Sequence, residues 1–248
     1  MSGSPIQPSP FLLFAAPLKE SSEYAGPGRC SLCSLEADPT FDLGIGADVI
    51  HECTHCARSF AVPADEHETA TVDCPHCRAA MPVARLNDPA VCVSCLRQGK
   101  AALTKDTEYG MVRWEDAMRG RTHGVPDLHH ASGFELDMPD GDDWVGVLIS
   151  SETLLELVRT PTYSTWQGEV WLFCCGQAMT YLGEWGKEDF SAYAPEDPGG
   201  AFLMAMRDSD AAGVWEHLPD RFPAHTEIGS HVFGCRTCNG RRGHIERA

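Results

Sequence analysis

Hydrophobic periodicity along this chain is patchy, and it changes type from region to region. In "SSETLLELVRTP" (150–161) the apolar residues Leu154, Leu155, Leu157 and Val158 gather on one side of a helical turn, which predicts a helix. A serine at 150 or 151 can cap it, Glu152 suits its positive N-terminal end, and Pro161 stops it. "GEVWLFCCG" (168–176) is β-rich and is expected to end at Gly176. "PGGAFLMAMRDSDAAGVWEHLP" (198–219) reads as helical, with interruptions at Gly213 and Pro219. "SHVFGCRTCNGRRGHIE" (230–246) reads as a hairpin. Residues 105–145 mix Gly, Asp, His and Pro with few periodic apolar positions, so irregular structure and short elements are expected there.

Before residue 105 the pattern is different again. Residues 1–10 are Pro/Ser-rich and predict a loose tail. From 11 to 104 the chain alternates cysteine knuckles with short polar or β-prone stretches. No tandem repeat spans the chain. The fold class implied is α+β: a cysteine-knuckle region over 11–104, then an α+β region over 105–248.

Ten of the twelve cysteines lie in C-x-x-C pairs. Two intervening residues let a tight turn aim both sulfurs at one ion. Cys53/Cys56 and Cys74/Cys77 have seventeen residues between the pairs, the spacing of a zinc ribbon, here expected over 51–80. "CPHC" also occurs in disulfide oxidoreductases, but nothing before Cys74 supplies the strand–helix setting that would lower a thiol pKa. His55 and His76 lie inside the knuckles, where four thiolates already fill four positions, and are expected to face solvent.

Cys30/Cys33 and Cys92/Cys95 bracket the ribbon across fifty-eight residues. If the ribbon closes on itself, its ends return together and the outer pairs can meet across its base. The ribbon is then an insertion into a split second site; ligand exchange between the sites is the rival arrangement. Cys235/Cys238 and the adjacent Cys174 and Cys175 remain over and would complete a third site. Neighbours on a regular strand point to opposite faces, so this doublet needs an irregular strand end, which Gly176 permits. The alternative is that one or both are ordinary buried cysteines.

The segment "TPTYSTWQGEVWLFCCGQAMTYLG" (160–183) resembles the "TP-x-[FY]-x-x-WQ-x-E-x-W-L-x-H-C-x-D" stretch of the CbrC family, bacterial proteins linked to tolerance of E-type colicins. "FAAPLKE" followed by "CSLC" and "CVSC" resembles that family's opening, and "HVFGCRTCNGRRGHIE" its closing "YLF-x-C-x-x-C-G". The resemblance departs at the ribbon, which looks like an insertion, and in lacking the family's Tyr-rich stretch between knuckles. It departs also at Cys174, where the family usually has His, and at Gln177, where it commonly has Asp. His and Cys are the two commonest zinc ligands, so their exchange at 174 implies a metal position and favours the third site. The resemblance implies a link to toxin tolerance.

Composition narrows the function. Thirty-six acids against nineteen bases give a formal charge of -17, which repels nucleic acid and anionic membranes and favours a basic protein partner. Acidity that merely maintains solubility is the bland reading. A ribbon-based nucleic-acid binder is disfavoured by five acids against two arginines within 51–80. No apolar run reaches the roughly 18 residues of a membrane span. No basic segment precedes "FLLFAAPL" as in a secretory signal. The expected location is cytoplasmic, where paired cysteines are metal ligands rather than disulfides.

Three saturated four-thiolate zinc sites would deepen the charge by about six and leave no open position for hydrolytic chemistry. There is no GxSxG, Walker loop or dinucleotide fingerprint. His123, Asp127, His129, His130, Glu135 and Asp137 form no helical HExxH-type pair and are expected in a solvated loop. Trp166, Gln167, Glu169 and Trp171 could line a pocket, but aromatic-rich strands more often serve core or interface. The expectation is therefore a non-catalytic, three-zinc protein that binds a protein partner, in a sharper form the basic domain of a nuclease toxin. The alternative is a thiol–disulfide or zinc-dependent enzyme.

Overall fold

A computed structural model describes residues 9–66, 71–83, 86, 89–138, 143–206, 211–222 and 228–247. Most of the expected tail lies outside them. The protein is a mixed α/β structure with small sheets. Strands β1 (Tyr24–Arg29), β2 (Glu36–Asp42) and β7 (Ala90–Cys92) form one antiparallel sheet, with β2 in the middle. The chain between β2 and β7 makes two hairpins: β3 (Asp48–Glu52) with β4 (Ser59–Pro63), and β5 (Thr71–Asp73) with β6 (Ala80–Pro82). Helix α1 (Val93–Arg97) follows β7, and β8 (Ala101–Ala102) returns to pair with β3. The base of the double hairpin is thus tied to the segment that follows the last outer cysteine.

Short elements fill the next stretch, as the absence of periodicity there predicts: α2 (Trp114–Arg119) and strands β9 (Val125–Pro126), β10 (Glu135–Leu136), β11 (Trp144–Val145) and β12 (Val147–Leu148). Helix α3 (Ser151–Val158) has Ser150 as its cap, whose hydroxyl accepts the Thr153 amide at 3.3 Å. It buries Leu154, Leu157 and Val158. The "VWLFCC" stretch is not one strand. It pairs regularly only as β13 (Phe173–Cys174) with β14 (Gln177–Ala178), because the chain reverses at Cys175 and Gly176.

The last sheet is β15 (Thr180–Glu184), β16 (Ile228–Gly234) and β17 (Arg241–Arg247), with β16 central. Its two faces differ by strand alternation. Leu182, Ile228, Val232 and Ile245 pack with Phe190, Phe202, Met206 and Val214 from helices α4 (Lys187–Tyr193), α5 (Pro198–Met206) and α6 (Ala211–His217). Gly213 lies within α6 and does not interrupt it, since a single glycine lowers helix stability by only about 1 kcal/mol. The opposite face meets the main core, one cluster running from Phe11 to Cys235 that includes Tyr163, Trp171, Tyr181 and Phe233. Residues 13–15 join this sheet edge, with the Tyr181 amide bonded to the Leu13 carbonyl at 2.8 Å.

Candidate metal centres

Four of the five C-x-x-C pairs fold into one backbone pattern. In the knuckles beginning at Cys30, Cys53, Cys74 and Cys235, the first cysteine's carbonyl accepts the amide four residues on, at 2.8–3.0 Å. Its own amide donates to the carbonyl five residues on, at 2.9–3.0 Å. The residue after each second cysteine has positive φ: Ser34 (60°), Ala57 (53°), Arg78 (62°) and Asn239 (58°). The fifth pair is built differently. Cys92 caps α1, its sulfur accepting the Cys95 amide at 3.4 Å, so the helix's first turn presents both thiols.

The adjacent pair uses a third device. Cys175 (φ 52°) and Gly176 (φ 76°) are the central residues of a two-residue hairpin, and two positive φ values are the signature of a type I′ turn. That reversal brings the sulfurs of neighbouring residues within 3.7 Å of each other. The turn is held from behind: Glu108 accepts the Phe173 amide at 2.6 Å and two Arg242 contacts at 2.7 Å, and Arg242 also reaches the Phe173 carbonyl.

All twelve predicted cysteines fall into the three predicted groups: Cys30, Cys33, Cys92 and Cys95; Cys53, Cys56, Cys74 and Cys77; Cys174, Cys175, Cys235 and Cys238. Within each group the sulfurs lie within 4.8 Å of one another. Nearest contacts are 3.7 and 3.8 Å in the first group, 3.6 and 3.8 Å in the second, and 3.7 Å in the third. A tetrahedron of zinc–sulfur bonds of about 2.3 Å has edges of about 3.8 Å, whereas a disulfide needs about 2.05 Å. The thiols are free, and each group could hold a metal ion.

Thiol electrostatics fit such an ion. Burial raises the Cys30 pKa, but the Cys92, Cys33 and Leu32 amides outweigh it and bring the thiol down to about 7. For Cys53 desolvation is likewise outweighed, by the Cys56 and His55 amides, to about 6; Cys235, with the Cys238 and Thr237 amides, falls to about 7. One thiol beside each moves the other way. At Cys77 the Ala79 amide pulls down, but burial and the surrounding thiols push it up to about 12. Burial and the crowded thiols also raise Cys95 and Cys174. One thiolate per group is stabilised by amides, and a bound cation would offset the crowding that raises Cys77, Cys95 and Cys174.

The groups differ in setting. Cys30, Cys92 and Cys95 are part of the main core, while Cys53 and Cys74 pack with Phe60, Val62 and Met81 in a separate small cluster. A cavity of about 330 Å³ lies at their junction, lined by Ser31 and Leu32 of the outer knuckle, Ile50 of β3, and Leu86. In the third group Cys235 is buried but Cys175 and Cys238 are exposed.

Other predicted residues stay outside these groups. His55 and His76 are exposed. His123, Asp127, His129 and His130 are exposed, Asp137 pairs with Arg121 at 3.3 Å, and no donor cluster forms there among the described residues. Trp166, Gln167, Glu169 and Trp171 do not share one environment: Trp171 is fully buried, whereas Trp166 is 53% exposed. Glu169 faces the buried Lys105 at 3.9 Å, and burial pushes its carboxyl up to about 7 against that ammonium's pull. A fourth donor group, His231, His244 and Glu246, escapes sequence reasoning altogether. Only strand register brings its members together; burial, then His231, holds His244 down to about 4.

No helix among the described residues is long and apolar enough to cross a membrane. No solved structure matches the chain. A Pseudomonas aeruginosa protein, "UPF0167 protein PA1536", is 26% identical over 118 residues, which cover 46% of this chain and 63% of that relative. The chain thus spans less than two thirds of that relative's length. A profile of the "Uncharacterised protein family (UPF0167)" matches residues 52–246, from the end of β3 through the double-hairpin knuckles and the cysteine doublet to the closing hairpin. The chain belongs to the UPF0167 family.

Proposed function

We propose that this protein is a zinc-stapled, non-catalytic binding protein. Three structural zinc ions are held by Cys30, Cys33, Cys92 and Cys95, by the ribbon set Cys53, Cys56, Cys74 and Cys77, and by Cys174, Cys175, Cys235 and Cys238. The observation that carries the reading is the grouping of all twelve thiols into three compact sets of four, with nearest contacts close to a zinc–thiolate edge. Four thiolates saturate a tetrahedral ion and leave no position for water or substrate. The ions therefore fold the chain rather than do chemistry.

The partner in this reading is a protein with a basic surface, attracted by the formal charge of -17. The likeness of the 160–183 segment to the CbrC family supports a role in tolerance of toxins, in its sharpest form immunity to a basic nuclease domain. Metal analysis with thiol titration of the reduced full chain tests the first half: three zinc ions per chain and unreactive thiols are expected. Free, fast-reacting thiols at Cys30, Cys53 or Cys235 would favour thiol–disulfide chemistry instead. Pull-down with basic toxin domains encoded beside the gene tests the second half, and failure to retain any would count against immunity.

A further inference from the structure

On the core-facing side of the last sheet, the closing hairpin carries donors of another kind. Its register pairs His231 with His244 and Gly229 with Glu246. Strand alternation therefore puts both imidazoles and the carboxylate on one face. One donor atom from each lies within 4.8 Å of the others. His231 is 0% exposed and Glu246 is 2% exposed.

Each ring has one nitrogen engaged and one left over. The Tyr181 hydroxyl is 3.2 Å from His231 Nδ1, and the Tyr163 hydroxyl is 3.2 Å from His244 Nε2. Of the other nitrogens, both buried, His244 Nδ1 has no hydrogen-bond partner, and His231 Nε2 faces only carboxylates. His231 Nε2 stands 3.1 Å from Glu246 Oε2. That carboxylate is itself oriented by the Trp166 amide at 3.2 Å, the Gln167 amide at 3.4 Å and the Thr165 hydroxyl. His244, whose far nitrogen is fixed by a hydrogen bond while its near one has no partner, is arranged as metal-ligating histidines are. A plain His231–Glu246 ion pair would leave His244 Nδ1 unexplained.

Gly229 supplies a second, independent sign. A Cβ there would stand 3.1 Å from His231 Nε2, 3.4 Å from Glu184 Oε1 and 3.5 Å from Glu246 Cβ. Its φ lies outside the left-handed region, so space and not backbone conformation accounts for the glycine. Glu184, 3.8 Å from His231 Nε2 with a 36% exposed side chain, stands where the site opens toward solvent.

We propose that His231, His244 and Glu246 form a fourth metal site, with nitrogen and oxygen donors, for a divalent transition ion such as zinc. Two imidazoles and one carboxylate suit such ions, whereas calcium and magnesium take oxygen ligands. The fourth coordination position faces Glu184. This site goes beyond the three-zinc reading and does not depend on it.

Cadmium-113 NMR of the full chain, loaded with cadmium alone, reads the two donor classes apart, because thiolate sites resonate far downfield of nitrogen/oxygen sites. The expected spectrum has one upfield resonance, lost in His244→Gln and in Glu246→Gln while the downfield ones persist. Gly229→Ala, which keeps every ligand, is expected to weaken that site at least tenfold in chelator competition. No upfield resonance in the wild-type chain at saturating cadmium, or one that survives in folded His244→Gln, overturns the proposal. Should the variants not fold, the wild-type spectrum decides alone. Failure of the thiolate reading would remove the downfield signals and leave the upfield one.

Discussion

The outer cysteine cluster and the double-hairpin cluster have the same four ligands in opposite surroundings. Around the outer one lie Phe41, Val91 and Leu96, part of an apolar core whose members run from Phe11 to Cys235. Around the inner one the small cluster holds Cys53, Phe60, Val62, Cys74 and Met81, with Cys56 and Val72 against it. In the outer site a metal would join segments fifty-eight residues apart onto a core that also buries much apolar surface. In the inner site the metal would be most of the core itself. Identical chemistry therefore has different reach: outer loss should spread, and inner loss should stay local.

Removing every metal at once should erase the difference. A structural zinc contributes about 10–16 kcal/mol of apparent folding free energy, against a net domain stability of about 5–15 kcal/mol. Strong chelation under reducing conditions is expected to abolish the cooperative thermal transition, followed by circular dichroism. A melt that survives complete demetallation would show that apolar burial alone sustains both regions.

Single ligands separate the two. Cys92→Ser leaves three thiols in the main core and is expected to cost at least about 4 kcal/mol, or roughly 10 °C in Tm for a chain of this size. Cys74→Ser is expected to remove amide protection across residues 48–66 and 71–82 in hydrogen exchange, with little change beyond residue 105. Equal global destabilisation by both would mean that the β3–β8 pairing couples the hairpins tightly to the core.

The third cluster lies between these extremes, and its ligand identity sharpens the comparison. Cys174→His is expected to retain the metal and shift Tm by no more than a few degrees, whereas Cys175→Ala is expected to lose it. Metal analysis of both variants decides, and loss in both would make Cys174 specific for sulfur. What was legible in the sequence follows the same gradient of locality. The inner ribbon was plain because a knuckle is a four-residue device and its spacing is short. The helix over 150–161 was plain because cap, apolar side and stop are all local. The doublet needs a turn with positive φ at a cysteine: the sequence points to an irregular strand end at Gly176, but alternation does not reveal the return strand β14. Glu108, which steadies that hairpin directly and through Arg242, is 65 residues from Phe173 and 134 from Arg242 in sequence. The His231, His244 and Glu246 group was hidden because it depends on register across a hairpin whose strands flank a cysteine knuckle.

The smallest expected effect sits where the two regions join. Asp48 opens β3, opposite Pro63 on one side and Ala102 on the other. Burial, reinforced by Glu115 and Asp65 and opposed by Arg113, pushes its carboxyl up to about 6. A carboxyl with a raised folded-state pKa holds its proton more tightly than the unfolded chain does. Stability is therefore lost as pH rises through the interval from about 4 to about 6. Asp48→Asn cannot ionise and should be more stable than the parent above pH 6, by about 1 kcal/mol after allowing for solvent screening. That is about 2–4 °C in Tm, shrinking between pH 7.5 and pH 5. Acid also weakens thiolate metal sites, but it does so in both proteins and cancels in their difference. A gap that stays constant with pH, or an asparagine variant less stable at pH 7.5, would show that the carboxylate is held by a partner at the joint. The two regions would then be fastened by charge as well as by the two-pair ladder between β3 and β8.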